Sequence, residues 1–226
     1  GGHSALALAG DVKQSGLAEA PSIVTVKNAV FDGIGGRQPD AWFDASIYAP
    51  GTTTNNIGLL TGQAAANPGQ APVVTFNGFT HVYCLNSGFV LPNISMYGDF
   101  AFACKIFFPT AFTSKSLRAN LSPMAFSNRP GRGWDNVLGT TYTNTIGCRA
   151  QEDYVLYAYR VGGIINAYLN EEQVLANVTN NNSNEKLSFG ANTKFACAEL
   201  IHYNQTLSQA ESDGLRNYMH QKYSVG

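Results

Sequence analysis

Carboxylates and histidines are the side chains of this sequence that could support hydrolysis or elimination. Glycosidases need an acid and a nucleophile or base about 5–9 Å apart, flanking the bond they cleave. The adjacent pair Glu152-Asp153 does not fit, because neighbouring strand residues point to opposite faces, and we expect both to be solvated charges at a strand start. His81 and His202 fall on separate predicted strands. We therefore predict that the chain is not an enzyme.

Oxygen and sulfur ligands for a metal are also poorly placed. Asp32, Asp40 and Asp44 could contribute to a Ca²⁺ site in the early loops, but their spacing matches no calcium-binding loop. We predict no metal and no cofactor.

The cysteines show no CxxC spacing, and three of them fall in predicted strands, where a thiol acts as a small apolar side chain. We predict reduced core thiols, with two disulfides as the alternative. The four cysteines are Cys84, Cys104, Cys148 and Cys197.

Aromatic rings next to polar side chains are the remaining candidates for a binding site. Sugar binding needs rings that can stack on pyranose faces. The candidate glycan-binding residues are Trp42, Arg132, Trp134, Asp135 and Tyr142. The alternative for Trp134 is a ring that caps the edge of the fold. In the strand predicted at 154–161, alternation places Tyr157 and Tyr159 on one face, which is either core or a binding surface.

The fold must position these side chains, and the composition of the chain favours an all-β domain. The 226 residues include 23 Gly, 13 Phe and 11 Tyr, which suit turns and half-buried strands. Fourteen basic and 15 acidic residues, with no Lys/Arg run, exclude the electrostatic pattern of a nucleic-acid binder. We predict one domain at 23–226, preceded by an arm or short helix at 1–22.

The apolar stretch at 5–9 is too short for a membrane span or a signal sequence, and no Lys or Arg precedes it. We therefore expect no membrane insertion and no export driven by this segment.

Short strands follow one another at intervals of about ten residues from position 73 onward, as in a two-sheet sandwich. The strand at 100–108 is apolar on both faces, which predicts a central position. Ser208-Gln209-Ala210-Glu211 is a capping box and predicts one C-terminal helix. The predicted strands are 73–76, 81–85, 100–108, 124–127, 137–142, 154–161, 164–169, 187–189 and 196–203.

Several motifs between 73 and 224 together resemble the concanavalin A-like, laminin-G-like jelly-roll domains, and Trp42-Phe43-Asp44-Ala45 resembles their opening strand. The resemblance implies an all-β, two-sheet antiparallel jelly-roll sandwich, and it implies a structural role for Glu199. Where such domains have an Asn-Gly hairpin, this chain has Asn170-Glu171, so we expect a turn other than the preferred two-residue type. The motifs are Thr75-Phe76-Asn77-Gly78, Phe89-Val90-Leu91-Pro92, Phe100-Ala101-Phe102-Ala103, Ala167-Tyr168-Leu169-Asn170, Leu187-Ser188-Phe189-Gly190 and Ala198-Glu199-Leu200-Ile201-His202-Tyr203-Asn204.

Domains of this kind occur in phage tails and fibres and in bacterial surface proteins, which sets the functional expectation. We expect a non-enzymatic structural or adhesion module of a phage virion, in the tail, a fibre or the capsid decoration, made in the host cytoplasm. Its expected partners are other virion proteins, further copies of itself and a cell-surface glycan. The alternatives are a carbohydrate-binding module of a secreted bacterial enzyme and a divergent polysaccharide lyase or hydrolase.

Overall fold

The computed structural model describes residues 37–51, 53–54, 71–84, 89–91, 98–110, 119–122, 124–126, 136–137, 140–141, 150–179, 187–189 and 195–225. The predicted arm at 1–22 lies outside these residues. A 3₁₀ turn covers Ala45–Ile47, and helix α1 covers Gln209–Tyr223. The described strands are β1 (Ala41–Asp44), β2 (Thr53–Thr54), β3 (Ala71–Phe76), β4 (Phe79–Cys84), β5 (Phe89–Leu91), β6 (Phe100–Phe107), β7 (Ala119–Ser122), β8 (Met124–Phe126), β9 (Asn136–Val137), β10 (Thr140–Thr141), β11 (Asp153–Val161), β12 (Ile164–Leu169), β13 (Glu172–Thr179), β14 (Leu187–Phe189) and β15 (Phe195–Tyr203).

Two antiparallel sheets contain these strands, which confirms the predicted all-β sandwich. The larger sheet has the order β13-β12-β11-β6-β15-β4-β3-β2, and the smaller has the order β10-β9-β8-β7-β14-β5. One edge of β15 pairs with β6, while its other edge pairs first with β4 and then with β1. The strand β1 thus fills the space beside β15 that β4 leaves open.

Strand β6 is central, as its two apolar faces predict, and all eight of its residues are buried. On one face, the rings of Phe100 and Phe102 stack on each other, with their centroids 6.0 Å apart. On the opposite face, Ala103 belongs to the core cluster that also contains Leu215 and Met219 of α1. A small side chain at position 103 leaves room for the helix to pack on the sheet.

Helix α1 begins at the predicted capping box. The Ser208 hydroxyl accepts a hydrogen bond from the Glu211 backbone N–H, and the Glu211 carboxylate accepts one from the Ser208 N–H. The helix ends at Ser224, which adopts a left-handed backbone with φ of 54°. The buried residues Glu211, Leu215, Met219 and Tyr223 recur every four positions, so one side of α1 packs on β6 and β11.

Strand β13 was not predicted, because its polar residues hide the alternation of a strand. The pairing of β12 with β13 shifts register between Ile165 and Ala167, and Asn177 has a φ of 51°. The Asn166 side chain accepts a hydrogen bond from the Asn177 N–H at 3.0 Å and so satisfies the irregular backbone.

The other differences from the prediction concern short strands. Where one strand was predicted at 137–142, the described residues form two short antiparallel strands, β9 and β10. The strands β2, β5 and β7 were not predicted. Strands of two to four residues are too short for alternation to be recognised.

The turn between β12 and β13 was predicted wrongly. Asn170 and Glu171 form a two-residue turn between the paired residues Leu169 and Glu172, with φ of 49° and 67°. Positive φ at both central positions is what the preferred two-residue hairpin requires. The Asn170 amide adds two anchors, because it accepts from the Val155 N–H at 2.7 Å and donates to the Asp153 carbonyl at 3.1 Å.

Replacing Asn170 with alanine should lower the free energy of unfolding by about 2–3 kcal/mol, because it removes two hydrogen bonds and a residue that tolerates positive φ. Urea unfolding monitored by fluorescence measures this change. Glu172→Ala is the control and should change the stability by no more than about 0.5 kcal/mol. Equal effects of the two substitutions would contradict the anchoring role of Asn170.

Candidate functional site

Two carboxylates lie side by side under helix α1. The antiparallel pairing of β1 with β15 places Asp44 directly opposite Glu199. Glu199 is fully buried and Asp44 is 5% exposed. Two negative charges that are buried side by side are unfavourable unless a cation compensates them.

Lys222 of α1 supplies that cation. Its Nζ atom lies 2.8 Å from Asp44 Oδ2 and 2.8 Å from Glu199 Oε1. Burial lowers the pKa of Lys222, but the charges of Asp44 and Glu199 outweigh this effect and hold the pKa well above its ordinary value. Lys222 therefore remains an ammonium and bridges β1, β15 and the helix.

Neutral donors complete the coordination of Glu199. Oε2 accepts from the Trp42 indole N–H at 2.6 Å and from the Tyr218 hydroxyl at 2.8 Å. Oε1 accepts from the Tyr223 hydroxyl at 2.7 Å in addition to Lys222. Burial and the charge of Glu199 raise the pKa of both tyrosines well above the ordinary value, so both keep their protons and donate.

This arrangement fits a structural carboxylate. A carboxylate has about four lone-pair positions, and Glu199 receives four hydrogen bonds, so no position remains for a substrate proton. Asp44 is similarly occupied, because its Oδ1 atom accepts from the Ser46 backbone N–H and hydroxyl. The implied structural role of Glu199 has a geometric basis in these contacts, which are to side chains rather than to backbone.

Trp42 belongs to this network and not to a sugar site. The residue is only 2% exposed, and its indole N–H is used by Glu199. Neither face of the ring is available to stack on a pyranose, which corrects the expectation from the sequence. The other four predicted glycan-binding residues, Arg132, Trp134, Asp135 and Tyr142, lie outside the residues whose side chains the structure describes.

A second polar cluster surrounds Lys105 on the same face of β6. Lys105 is fully buried, and its Nζ atom lies 2.5 Å from Asp153 Oδ1 and 2.8 Å from His81 Nε2. The rings of Phe107, Phe79 and Tyr223 are centred 5.3–5.8 Å from the same atom. Asp153 is therefore the ion-pair partner of a buried lysine, which corrects the prediction of a solvated charge.

The charge states in this cluster follow from its burial. Burial lowers the pKa of Lys105, and the hydrogen bond and charge of Asp153 offset part of that decrease. Burial and the charge of Lys105 lower the pKa of His81 to about 3. Because His81 Nδ1 lies 2.9 Å from the Phe79 carbonyl oxygen, it carries the ring proton, and Nε2 is left as a hydrogen-bond acceptor for Lys105.

The opposite face of the larger sheet holds mainly apolar side chains, together with His202 and the buried Arg160, which pairs with Phe100. His202 is fully buried, and its ring stacks on Phe100 and Phe102. Neither ring nitrogen has a hydrogen-bond partner among the described residues, and burial lowers the pKa of His202 to about 3. Cys104 and Cys197 are buried free thiols, as predicted; the side chains of Cys84 and Cys148 are outside the described part.

Beyond the edge of α1, the helix-covered face of the larger sheet becomes a partly exposed surface. Tyr157 pairs with Tyr168, and their ring centroids are 6.2 Å apart. Tyr157 is buried and binds the Ser212 hydroxyl of α1, whereas Tyr159 and Tyr168 are partly exposed. Further along the strand, Val161 is 41% exposed. The predicted face of 154–161 is thus core at one end and surface at the other.

Arg216 joins this surface from the helix. Its guanidinium lies over the Tyr168 ring, 4.4 Å from the centroid, and forms two hydrogen bonds with the Glu171 carboxylate. His220 Nε2 lies 2.8 Å from the same carboxylate. We call Tyr159, Val161, Tyr168, Gln173 and Arg216 the tyrosine surface.

The tyrosine surface combines an apolar part and a hydrogen-bonding part with little net charge. Burial raises the pKa of Tyr159, and the charge of Tyr168 and a hydrogen bond with it add to that increase, so the Tyr159 phenol stays protonated at neutral pH. Gln173 is an exposed residue of the edge strand β13, and its amide nitrogen donates to Asn166 Oδ1 at 2.9 Å and to the Leu175 carbonyl at 3.1 Å. Such a surface fits a neutral ligand that has one apolar face and a rim of hydroxyl groups.

Sequence reasoning found Tyr159 but missed Tyr168 and Arg216. The two-residue turn Gly162-Gly163 was the available signal, because it pairs Val161 with Ile164 and thereby places Tyr168 opposite Tyr157. No comparable local signal places Arg216, since its contact with Tyr168 depends on how the helix crosses the sheet.

Metal binding and membrane insertion gain no support from the described residues. No group of three or more His, Cys, Asp or Glu side chains among them is arranged to hold a metal ion. Asp40 accepts a hydrogen bond from the Asn204 backbone N–H, and Asp44 binds Lys222. In the described part of the chain, no helix has the length and apolar character needed to cross a bilayer.

Solved structures with the same fold include the sialidase of Trypanosoma rangeli. Its complex with sialic acid is 14% identical to this chain, with a TM-score of 0.58 over 89% of this chain and 38% of the sialidase. Its complex with a difluoro-KDN compound is 13% identical, with a TM-score of 0.54 over 80% and 32%. This chain thus spans less than two-fifths of the sialidase chains.

Domain 4 of a GH43 extracellular arabinanase from Geobacillus stearothermophilus, solved with arabinotriose, aligns with 17% identity and a TM-score of 0.48 over 78% of this chain and 98% of that domain. No protein-family model matches the chain, and no curated protein matches its sequence. The likeness to the sialidase structures, with TM-scores above 0.5, supports the β-sandwich fold alone.

Proposed function

We propose that this protein is a non-catalytic β-sandwich module that binds a neutral glycan on the tyrosine surface. The observation that carries the proposal is the pair of partly exposed rings, Tyr159 and Tyr168, beside the exposed residue Gln173. A pyranose presents an apolar C–H face to an aromatic ring and hydroxyl groups to amides and phenols. The T. rangeli sialidase structures hold sialic acid and a related sugar, which makes glycans the first ligand class to test.

The non-catalytic part of the proposal is supported by how the buried carboxylates are used. Glu199 and Asp44 are saturated by internal hydrogen bonds, and Asp153 is paired with Lys105. A general acid or base must instead reach a substrate proton within hydrogen-bonding distance.

We further propose that this non-catalytic module is part of a phage virion, in the tail, a fibre or the capsid decoration. Its neighbours there are other virion proteins and further copies of the chain. The resemblance to phage modules and the charged fraction of only 13% support it. Fractionation and cryo-microscopy of particles should find the protein on the virion. A monomer that never associates with particles would rule this placement out.

A carbohydrate-binding module of a secreted enzyme is the second candidate. The observation that favours it is that the same fold occupies only 38% of a longer sialidase chain. The complete reading frame distinguishes the two, because the second candidate requires a catalytic domain in the same gene and the first requires neighbouring virion genes.

Glycan binding is tested with the purified protein on an array of bacterial surface polysaccharides and eukaryotic oligosaccharides, followed by calorimetry on the best binder. Tyr159→Ala should weaken binding about tenfold, since aromatic contacts of this kind contribute about 0.5–1.5 kcal/mol and 1.4 kcal/mol is a factor of ten. Gln173→Ala should weaken it less.

Tyr48→Ala is the matched control. Tyr48 is also a partly exposed tyrosine, but it follows β1, and β15 and β6 separate that strand from β11. Its removal should leave the affinity unchanged. Absence of binding to every glycan, or equal losses in Tyr159→Ala and Tyr48→Ala, would defeat the proposed site.

A further inference from the structure

Lys105 and Asp153 form an ion pair that differs from most salt bridges because it is largely buried. Salt bridges usually lie at the surface, where water solvates both ions. Here Lys105 has no exposed surface, and only Asp153, with a side chain that is 19% exposed, reaches the edge of the core. The two residues lie on the adjacent strands β6 and β11, and both strands are held in the middle of the larger sheet.

We propose that Lys105 and Asp153 condense without an external enzyme to form an isopeptide bond that joins β6 to β11. The Lys105 Nζ atom is already 2.5 Å from Asp153 Oδ1, so the amine and the carboxyl group do not have to find each other. Intramolecular groups that reach a well-oriented attack geometry react with effective concentrations of about 10⁵–10⁸ M.

The reaction needs a neutral amine and a protonated carboxyl group, and one proton transfer from Lys105 to Asp153 provides both. Burial disfavours the charged pair and lowers the pKa of Lys105, which reduces the cost of this transfer. Three aromatic rings surround the amine and exclude water from it.

Bond formation then balances without any co-reactant. Nζ attacks Asp153 Cγ and forms the C–N bond, and the C–O bond to Oδ1 breaks. Oδ1 leaves as water, carrying the proton of the carboxyl group and one proton from Nζ. The products are one secondary amide and one water molecule.

Two neighbouring side chains are placed to assist. His81 Nε2 lies 2.8 Å from Nζ and is an unprotonated acceptor, so it can carry the proton from Nζ to the departing oxygen. The Asn77 side-chain amide donates to Asp153 Oδ2 at 3.2 Å. Oδ2 is the oxygen that the product amide retains, and a donor at that position stabilises the negative charge that develops during the attack.

Intact-mass spectrometry of the full chain under denaturing conditions is the test, and it is independent of the proposed glycan binding. The wild-type protein should be lighter than its sequence by the mass of one water. Trypsin should no longer cleave after Lys105, and the peptide containing Lys105 should be joined to the peptide containing Asp153. A folded wild-type protein with the full sequence mass, after prolonged incubation, would overturn the proposal.

Variants exclude other sources of the mass change. Lys105→Arg keeps the positive charge but should show the full mass, because a guanidinium does not condense in this way. Glu152→Gln removes the neighbouring exposed carboxylate and should still lose one water. A succinimide at Asp213-Gly214 would lose the same mass, but it would persist in Lys105→Arg, and that outcome also counts against the isopeptide bond.

The role of His81 has a separate readout. His81→Phe preserves the ring packing against Phe76 and Phe107. In time courses of freshly expressed protein, this variant should accumulate the linked form at least about tenfold more slowly than the wild type. An unchanged rate would remove His81 from the mechanism and leave the isopeptide bond itself to the mass measurement.

Discussion

Glu199→Ala should lower the free energy of unfolding by about 3–5 kcal/mol, the cost of breaking a buried ion pair by removing one partner. The substitution leaves Lys222 with Asp44 as its only described carboxylate partner. It also removes the Glu199 carboxylate that accepts a hydrogen bond from the buried Trp42 indole N–H. Each buried donor that loses its partner costs about 1–3 kcal/mol.

Urea unfolding followed by tryptophan fluorescence measures this loss. The matched control is Glu172→Ala, which removes an exposed glutamate of the edge strand β13 and should change the stability by no more than about 0.5 kcal/mol. Glu199→Gln keeps the shape and one acceptor oxygen, so its effect should fall between the two. A loss below about 1 kcal/mol in Glu199→Ala would mean that the network contributes little net stability.

Acidification from pH 6.5 to 4.5 should lower the free energy of unfolding by about 4–5 kcal/mol through two histidines alone. In protein in which Lys105 and Asp153 are not joined, the folded state holds the pKa of His81 and of His202 at about 3, against 6.5 for an ordinary histidine. The unfolded chain therefore binds up to two more protons than the folded protein in this range. Their contribution is fully present above pH 6.5 and is lost as the pH falls toward 3.

His202→Phe tests whether the buried, neutral His202 causes part of this pH dependence of stability. A phenylalanine ring preserves the stack on Phe100 and Phe102 but cannot be protonated. The pH-dependent loss should fall by about half, to about 2 kcal/mol between pH 6.5 and 4.5. Urea unfolding at half-unit pH intervals measures both proteins. A flat wild-type profile, or an unchanged steepness in the variant, would contradict the buried neutral histidines.

Local sequence patterns predicted the long elements because their signals are short-range. Alternation in 100–107 assigned opposite faces to Phe102 and Ala103, and the structure places them so. The capping box at Ser208 predicted the start of α1, since its two hydrogen bonds involve only residues three positions apart.

The same patterns failed where a distant contact decides the local conformation. Asn170-Glu171 is not a preferred turn sequence, yet Glu171 adopts positive φ beside Arg216 and His220 of α1. Strand β13 contains polar residues at both ends, and it is identified by its pairing with β12 rather than by its own alternation. Tertiary interactions override weak local preferences in both cases.

Trp42 and Asp153 show the same limit for the candidate site. As residue types they suggested a sugar-stacking ring and a solvated charge, and the structure assigns them to Glu199 and Lys105. Exposure is a property of the whole packing arrangement, so no residue type determines it.

The amino-acid sequence by itself determined the fold class, the central strand and the capped helix of this protein, because alternation and capping act between near neighbours along the chain. Only the tertiary structure decided which polar side chains meet. Asp44 and Lys222 are 178 positions apart, and Lys105 and Asp153 are 48 apart. Their contacts exist because strand order and helix packing bring distant segments together in a core that excludes water, where an unpaired charge would be too costly.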